Sequence, residues 1–103
     1  MASYILLYRG STSPTGASHE GWPEWFERIG NALVDIGSPM LNGNALSAEG
    51  ELRTGSDLNG YSLVRADGLD AVRDLVRDHP FLQASAENSI EMFEVPRKEA
   101  ATR

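Results

Sequence analysis

The sequence predicts an α+β domain whose elements follow the order strand, helix, strand, strand, helix, strand. Short runs rich in aromatic and branched residues recur along the chain, which is typical of strands. Two other stretches place apolar residues at three- and four-residue spacing, which is typical of amphipathic helices. Gly-, Ser- and Asn-rich stretches separate these segments and predict turns.

The first part of the chain predicts a strand, a long loop and a helix. The strand is the apolar run Ser3–Arg9. The polar segment Gly10–Gly21 is longer than the about 2–6 residues usual between a strand and a helix, and we expect a mobile loop at the mouth of a cleft. The amphipathic stretch Trp22–Gly37 predicts one helix, with Pro23 in its first turn and Gly37 just past its end.

The second part predicts three strands and one helix. We expect a short, irregular strand within Ala45–Arg53, a clearer strand over Gly60–Ala66, a helix over Asp67–His79 and a last strand over Asn88–Val95. Asp67 is the expected N-cap of the helix, and Pro80 ends it at or just before His79. Residues 1–95 then form one domain, and residues 96–103 form a polar tail.

This element order is the ferredoxin-like βαββαβ arrangement, a four-stranded antiparallel sheet with both helices on one face. Three of the strands are apolar on both faces. The first carries Tyr4, Leu6 and Tyr8 opposite Ile5 and Leu7, the third carries Tyr61 and Leu63 opposite Val64 and Ala66, and the last carries Ile90 and Met92 opposite Phe93 and Val95. Two helices cover only one face, so we expect a second copy to cover the other in a homodimer. The alternative is a merely patchy face, since single exposed apolar residues are ordinary.

Composition excludes several classes of function. Fifteen acids against nine Lys and Arg give a net charge of −6, which repels phosphate backbones and makes nucleic acid a poor partner. The chain has no Cys, so disulfides and thiolate chemistry are excluded. Neither a signal peptide nor a membrane span of about 20 apolar residues is recognisable, and we expect a soluble, cytoplasmic protein. With two His and no paired His spacing, we expect no metal and no cofactor.

A family resemblance covers most of the chain between Tyr4 and Val95. The segments "GYSLVRADGLDAVRDLVRDHPFLQ" and "NSIEMFEV", with "YILLYRG" and "WFERIGNALVDIGSPM" before them, resemble the YCII-related family of small proteins. The middle stretch "RTGSDLNG" replaces the Asp-Gly-Pro-Phe motif of a well-known subset. The resemblance implies a ferredoxin-like fold in a dimeric α+β barrel. For some members it implies a His–Asp acid–base pair whose His lies near the first helix, close to the position of His19.

Two histidines are candidate catalytic groups. His79 lies at the end of the second predicted helix, where it either stabilises the helix end through the last carbonyls or titrates at the rim of a cleft. His19 lies in the long polar loop, as a solvated residue or as part of a binding loop. The aromatic residues Tyr8, Trp22, Tyr61 and Phe93 are candidate ligand-binding residues; Tyr8, Trp22 and Tyr61 fit a dimer core equally.

Two functions follow from these candidates. The first is a homodimeric module that binds a small organic ligand or a protein in a cleft at the sheet face. The alternative is a small enzyme that transfers a proton to or from an organic metabolite, with His19 or His79 as the base. The sequence contains no convincing set of nucleophile, base and acid, which favours the binding module.

Overall fold

A computed structural model of the protein describes residues 2–10 and 21–96. His19, most of the Gly10–Gly21 loop and the tail beyond Pro96 lie outside the described residues. The elements are β1 (Ala2–Arg9), α1 (Trp22–Ile29), a 3₁₀ turn (Gly30–Ala32), β2 (Leu33–Pro39), β3 (Asn44–Leu46), β4 (Leu52–Thr54), β5 (Leu58–Ala66), α2 (Leu69–Val76), α3 (Pro80–Ala84) and β6 (Ser89–Val95).

The main sheet has four strands in the spatial order β2-β5-β1-β6, and every neighbouring pair is antiparallel. The prediction of an α+β fold with a four-stranded antiparallel sheet is therefore confirmed. Strands β3 and β4 form a separate two-stranded sheet.

The helices pack on one side of the main sheet, which we call the covered face. Its core combines alternate residues of β1 and β5 with one side of each helix. The buried apolar residues are Tyr4, Leu6, Tyr8, Trp22, Trp25, Phe26, Val64, Ala66, Val72, Val76 and Phe81. Trp25 also donates its indole N–H to the Leu75 carbonyl at 3.1 Å, which joins α1 to α2.

On the opposite side of the sheet, which we call the open face, no helix lies among the described residues. The apolar residues of this face are Ile5, Leu7, Tyr61, Leu63, Phe93 and Val95. The register places Ile5 directly between Leu63 and Phe93 in one row across the sheet. Phe93 is 53% exposed. Both faces of the strands are therefore apolar, as the sequence predicts, and the described residues leave one of them uncovered.

The predicted helix over Trp22–Gly37 is half the expected length. It ends at Ile29, because Gly30 adopts φ 54°, a left-handed conformation in which glycine carries no steric cost. Residues 33–39 then form the edge strand β2, where Val34 and Ile36 have the branched side chains that strands favour. The three- and four-residue spacing continued by coincidence across this boundary.

The prediction of the second strand within Ala45–Arg53 is consequently wrong, because the second strand of the main sheet is β2 (Leu33–Pro39). The predicted region forms the β3–β4 hairpin, which pairs with itself in the register Ala45 to Arg53 and Leu46 to Leu52. We call residues 41–57 the arm.

The second helix also departs from the prediction at both ends. Gly68, and not Asp67, occupies its N-cap position, and no side chain caps it. The helix ends at Val76, before His79 as Pro80 requires. The sequence did not predict α3, whose first residue is Pro80 itself.

Candidate ligand cavity and the buried His79

A small cavity lies where α1 faces the edge strand β2. Its volume is about 130 Å³. The described residues that line it are Tyr8, Trp22, Phe26, Ile36, Gly37, Ser38, Pro39, Gly60 and Tyr61. The described lining residues include the aromatic residues Tyr8, Trp22, Phe26 and Tyr61 and no Asp, Glu, Lys, Arg or His, so this part of the cavity favours an uncharged, largely apolar occupant.

A short chain of hydrogen bonds runs beside the cavity and fixes its polar groups. The Tyr8 hydroxyl donates to Ser62 Oγ at 2.8 Å, and the Ser62 hydroxyl donates to the Ile36 carbonyl at 2.8 Å. Burial raises the pKa of Tyr8 well above its ordinary value, although the hydrogen bond to Ser62 opposes this. The phenol is therefore protonated at every physiological pH, and the chain of bonds holds β2 against the centre of the sheet.

The cavity wall requires glycine at position 37. Gly37 has φ 80°, and a Cβ there would overlap the carbonyl oxygen of Tyr61. The pairing of β2 with β5 shifts register on both sides of Asp35, as at a β-bulge, which bends a strand and re-aims its side chains. The irregular edge strand is what leaves space between β2 and α1.

His79 is a helix cap, at a different helix end from the one predicted. Its side chain is 0% exposed. The Phe81 N–H donates to His79 Nδ1 at 2.9 Å, so the imidazole satisfies a free amide at the start of α3. The backbone N–H of His79 donates to the Val76 carbonyl at 2.9 Å. The backbone of His79 therefore bonds to the end of α2, and its side chain bonds to the start of α3.

Aromatic rings surround His79 and keep it neutral. Its ring centroid lies 4.2 Å from that of Trp25, 4.6 Å from that of Trp22 and 5.2 Å from that of Tyr8. Burial among these rings, with a smaller contribution from the Arg28 charge, lowers its pKa to about 3. Because Nδ1 accepts a hydrogen bond, the proton of the neutral ring is on Nε2, which has no hydrogen-bond partner among the described residues.

The structure brings together three of the four predicted ligand-binding residues. Tyr8, Trp22 and Tyr61 all line the cavity, and Tyr8 contacts Trp22 edge-on at a centroid distance of 4.9 Å. Tyr61 occupies an open-face position of β5, opposite Leu7, and borders the cavity from the sheet, whereas Phe93, also on the open face, does not line the cavity. His79 contacts the cavity residues Tyr8 and Trp22 from behind and does not line the cavity itself.

Sequence reasoning missed three residues that shape the site. Phe26 and Ile36 both lie in the stretch Trp22–Gly37, which the sequence predicts to be one helix, so their positions on opposite walls of a cavity were not foreseen. Ser62 carried a usable signal, because it is a polar residue at a covered-face position of an otherwise apolar strand. A buried hydroxyl needs a partner, and the nearest partner for a strand residue is a neighbouring strand.

In the described parts of the chain, no three His, Asp or Glu side chains come together in a way that would hold a metal ion. No helix among the same residues is long and apolar enough to cross a membrane. Comparison of the chain with family models, with curated proteins and with solved structures finds no match.

Proposed function

We propose that the protein is a cytoplasmic, homodimeric module of the YCII-related, ferredoxin-like kind that binds a small, uncharged organic ligand. The aromatic cavity between α1 and β2 is the observation that carries the binding role. It lies on the covered face, and not on the open face where the sequence suggested a cleft.

The size and lining of the cavity define the ligand class. An apolar cavity of roughly 150 Å³ in another protein stays dry and takes up benzene, and the cavity here is about 130 Å³. The hydroxyl of Tyr8 donates to Ser62, which leaves its oxygen as an acceptor. A single aromatic ring that carries at most one hydrogen-bond donor, such as phenol, fits these features, and a carboxylate does not.

Thermal unfolding with a matched set of probes tests the binding role. Benzene and phenol should raise the melting temperature, because a ligand that binds only the folded state stabilises it. Benzoate should leave the melting temperature unchanged, since the described lining offers no cation to pair with its charge. Benzoate stabilising the protein as much as benzene does would contradict the proposal.

A pair of tryptophan variants locates the binding site. Ile36→Trp adds a large side chain at the cavity wall and should abolish the shift produced by phenol. Leu69→Trp adds the same group at an equally exposed aliphatic position on α2, which is outside the cavity, and should retain the shift. Retention of the shift in both variants would place the binding elsewhere.

The environment of His79 supports a binding module over the enzymatic alternative. Its pKa is about 3, and its only side-chain hydrogen bond among the described residues is to the amide of Phe81. A general base works best with a pKa near the operating pH and within reach of its substrate. A role as a helix cap accounts for the position of His79 without any substrate.

The open face supports the homodimer. Apolar surface of several hundred Å² rarely stays exposed on a monomer, and the strand order β2-β5-β1-β6 is that of the ferredoxin-like arrangement, in which one face carries no helix. Phe93→Asp places a charge on the edge strand β6 of this face, beside Ile5, and should convert the dimer to monomers of 11.2 kDa in light scattering at micromolar concentration. A dimer of unchanged mass in this variant would exclude the open face as the interface.

A further inference from the structure

The arm is the most exposed apolar element of the described chain. Among the described residues, six large apolar side chains are strongly exposed, and three of them belong to the arm: Leu41 at 71%, Leu46 at 70% and Leu52 at 72%. All residues from 41 to 54 except Ser47 are exposed. The hairpin therefore projects from the body of the domain with leucines in contact with water.

The arm is nevertheless an ordered hairpin with its own turn. Ser47 accepts a hydrogen bond from the Glu51 amide at its side-chain oxygen, at 3.0 Å, and donates its own amide to the Glu51 carbonyl at 2.8 Å. At the base, the Gly55 amide donates to the Gly43 carbonyl at 3.0 Å, and a Cβ at Gly55 would crowd the backbone of Gly43. The turn and base fix the hairpin, although two strands alone are only marginally stable in water.

The register brings the two most exposed leucines of the hairpin together. Leu46 and Leu52 lie directly opposite each other, so they form one apolar patch on one side of the arm. Of the three acids of the arm, Glu51 pairs with Arg53 at 3.2 Å and Asp57 pairs with Arg9 at 2.9 Å. Glu49 makes no ion pair among the described residues. Arg65 lies beside the open face, opposite Ser3 in the register, and makes no ion pair among the described residues.

The open face alone is small for a stable dimer. Four strands about 4.8 Å apart and seven residues at about 3.4 Å each give a footprint of roughly 450 Å². A standard interface buries about 800 Å² on each partner. The projected area of the open face is therefore smaller than the accessible area that each partner of a standard interface buries, and the arm carries the largest exposed apolar surface available to extend the contact.

We infer that the arm of each copy packs its Leu46–Leu52 patch against the partner copy, at the margin of the open face. This inference rests on the proposed homodimer and assigns to it a second contact region. The contact then brings Glu49 of the arm toward Arg65 on the open face of the other copy, an arrangement that opposite charges favour at the rim of an interface.

Sedimentation equilibrium of the full chain tests the inference. The double variant Leu46→Asp, Leu52→Asp should raise the dimer dissociation constant by about 100-fold or more, because two buried leucines are replaced by charges. Leu69→Asp is the matched control. This variant replaces another strongly exposed leucine, which is 59% exposed on α2. The dissociation constant of its dimer should stay within about threefold of the wild-type value.

The outcomes separate the arm from the open face. A double variant that associates as tightly as the wild type, while Phe93→Asp is monomeric, overturns the inference and leaves the open-face dimer in place. A wild-type protein that is monomeric at high micromolar concentration overturns both. As a second measurement, amide exchange in residues 44–54 of the wild type should slow as the protein concentration rises, and concentration-independent exchange there would also overturn the inference.

Discussion

The covered and open faces belong to the same strands and have similarly apolar sequences, yet they differ in what their side chains contact. On β1, Leu6 is 0% exposed beneath the helices, whereas its neighbour Leu7 lies half-buried on the open face. The polar atoms of the covered face are also ordered, as the bonds from Tyr8 to Ser62 and onward to Ile36 show. The difference shows that an apolar strand face indicates a surface that is buried in the native state. Whether helices of the same chain or another molecule bury that surface depends on the tertiary structure.

The largest expected effect is a difference in the free energy of unfolding between alanine variants of Leu6 and Leu7. Leu6→Ala should lower the free energy of unfolding by about 2–5 kcal/mol, because it leaves a cavity in a packed core. Leu7→Ala should lower it by less than about 1 kcal/mol at nanomolar concentration, where no partner copy covers the open face. Fluorescence-detected urea unfolding measures both values. Equal losses in the two variants would show that the faces do not differ in packing.

A second prediction concerns the edge strand that borders the cavity on the covered face. Gly37→Ala should lower the free energy of unfolding by more than about 2 kcal/mol, because the left-handed backbone costs about 1–2 kcal/mol for alanine and its Cβ overlaps the Tyr61 carbonyl. Gly50→Ala is the matched control, since Gly50 has φ 89° and no atom near its missing Cβ. Urea unfolding should therefore show the smaller loss for Gly50→Ala, and an equal loss would remove the steric argument.

A third prediction concerns His79, a fully buried polar residue in the core of the covered face. His79→Gln should lower the free energy of unfolding by about 1–2 kcal/mol, because the amide of Phe81 loses its cap. His79→Asn places a favoured N-cap residue at the same position and should recover part of this loss. Phenol binding, measured by thermal shift, should persist in His79→Gln. A variant that folds with wild-type stability and no longer binds would make His79 a functional residue.

The fourth prediction is a pH dependence that arises from the same residue. The pKa of His79 is about 3 in the folded protein, below the ordinary value of about 6.5, so between these pH values the unfolded chain binds a proton that the folded protein excludes. The stability that neutral His79 contributes is complete above pH 6.5 and is lost as the pH falls, by about 1 kcal/mol for each unit. The stability advantage of the wild type over His79→Gln should therefore shrink between pH 6.5 and 5. A constant difference over this range would contradict the shifted pKa.

The sequence predicted the parts of the fold that a local pattern specifies. Alternation along Ser3–Arg9 and Gly60–Ala66 identified the two central strands and both of their faces. The boundary at Gly30 was missed because Leu33 and Ile36 continue the helical spacing after the chain has become extended. The cavity could not be predicted, since it depends on the irregular pairing of β2 with β5, which brings Ile36 opposite Trp22 and Phe26. His79 was correctly placed near a helix end, although the helix that it caps had not been predicted.

Thiol labelling on the two faces tests the central claim most directly, because the chain has no cysteine of its own. Leu7→Cys places a thiol on the open face, and Gln83→Cys places one on the exposed side of α3 as the control. We predict that the labelling rate of Leu7→Cys falls by about tenfold or more between nanomolar and micromolar protein, as a second copy covers the open face, while the rate of Gln83→Cys stays constant. A labelling rate of Leu7→Cys that is the same at both concentrations would contradict the account.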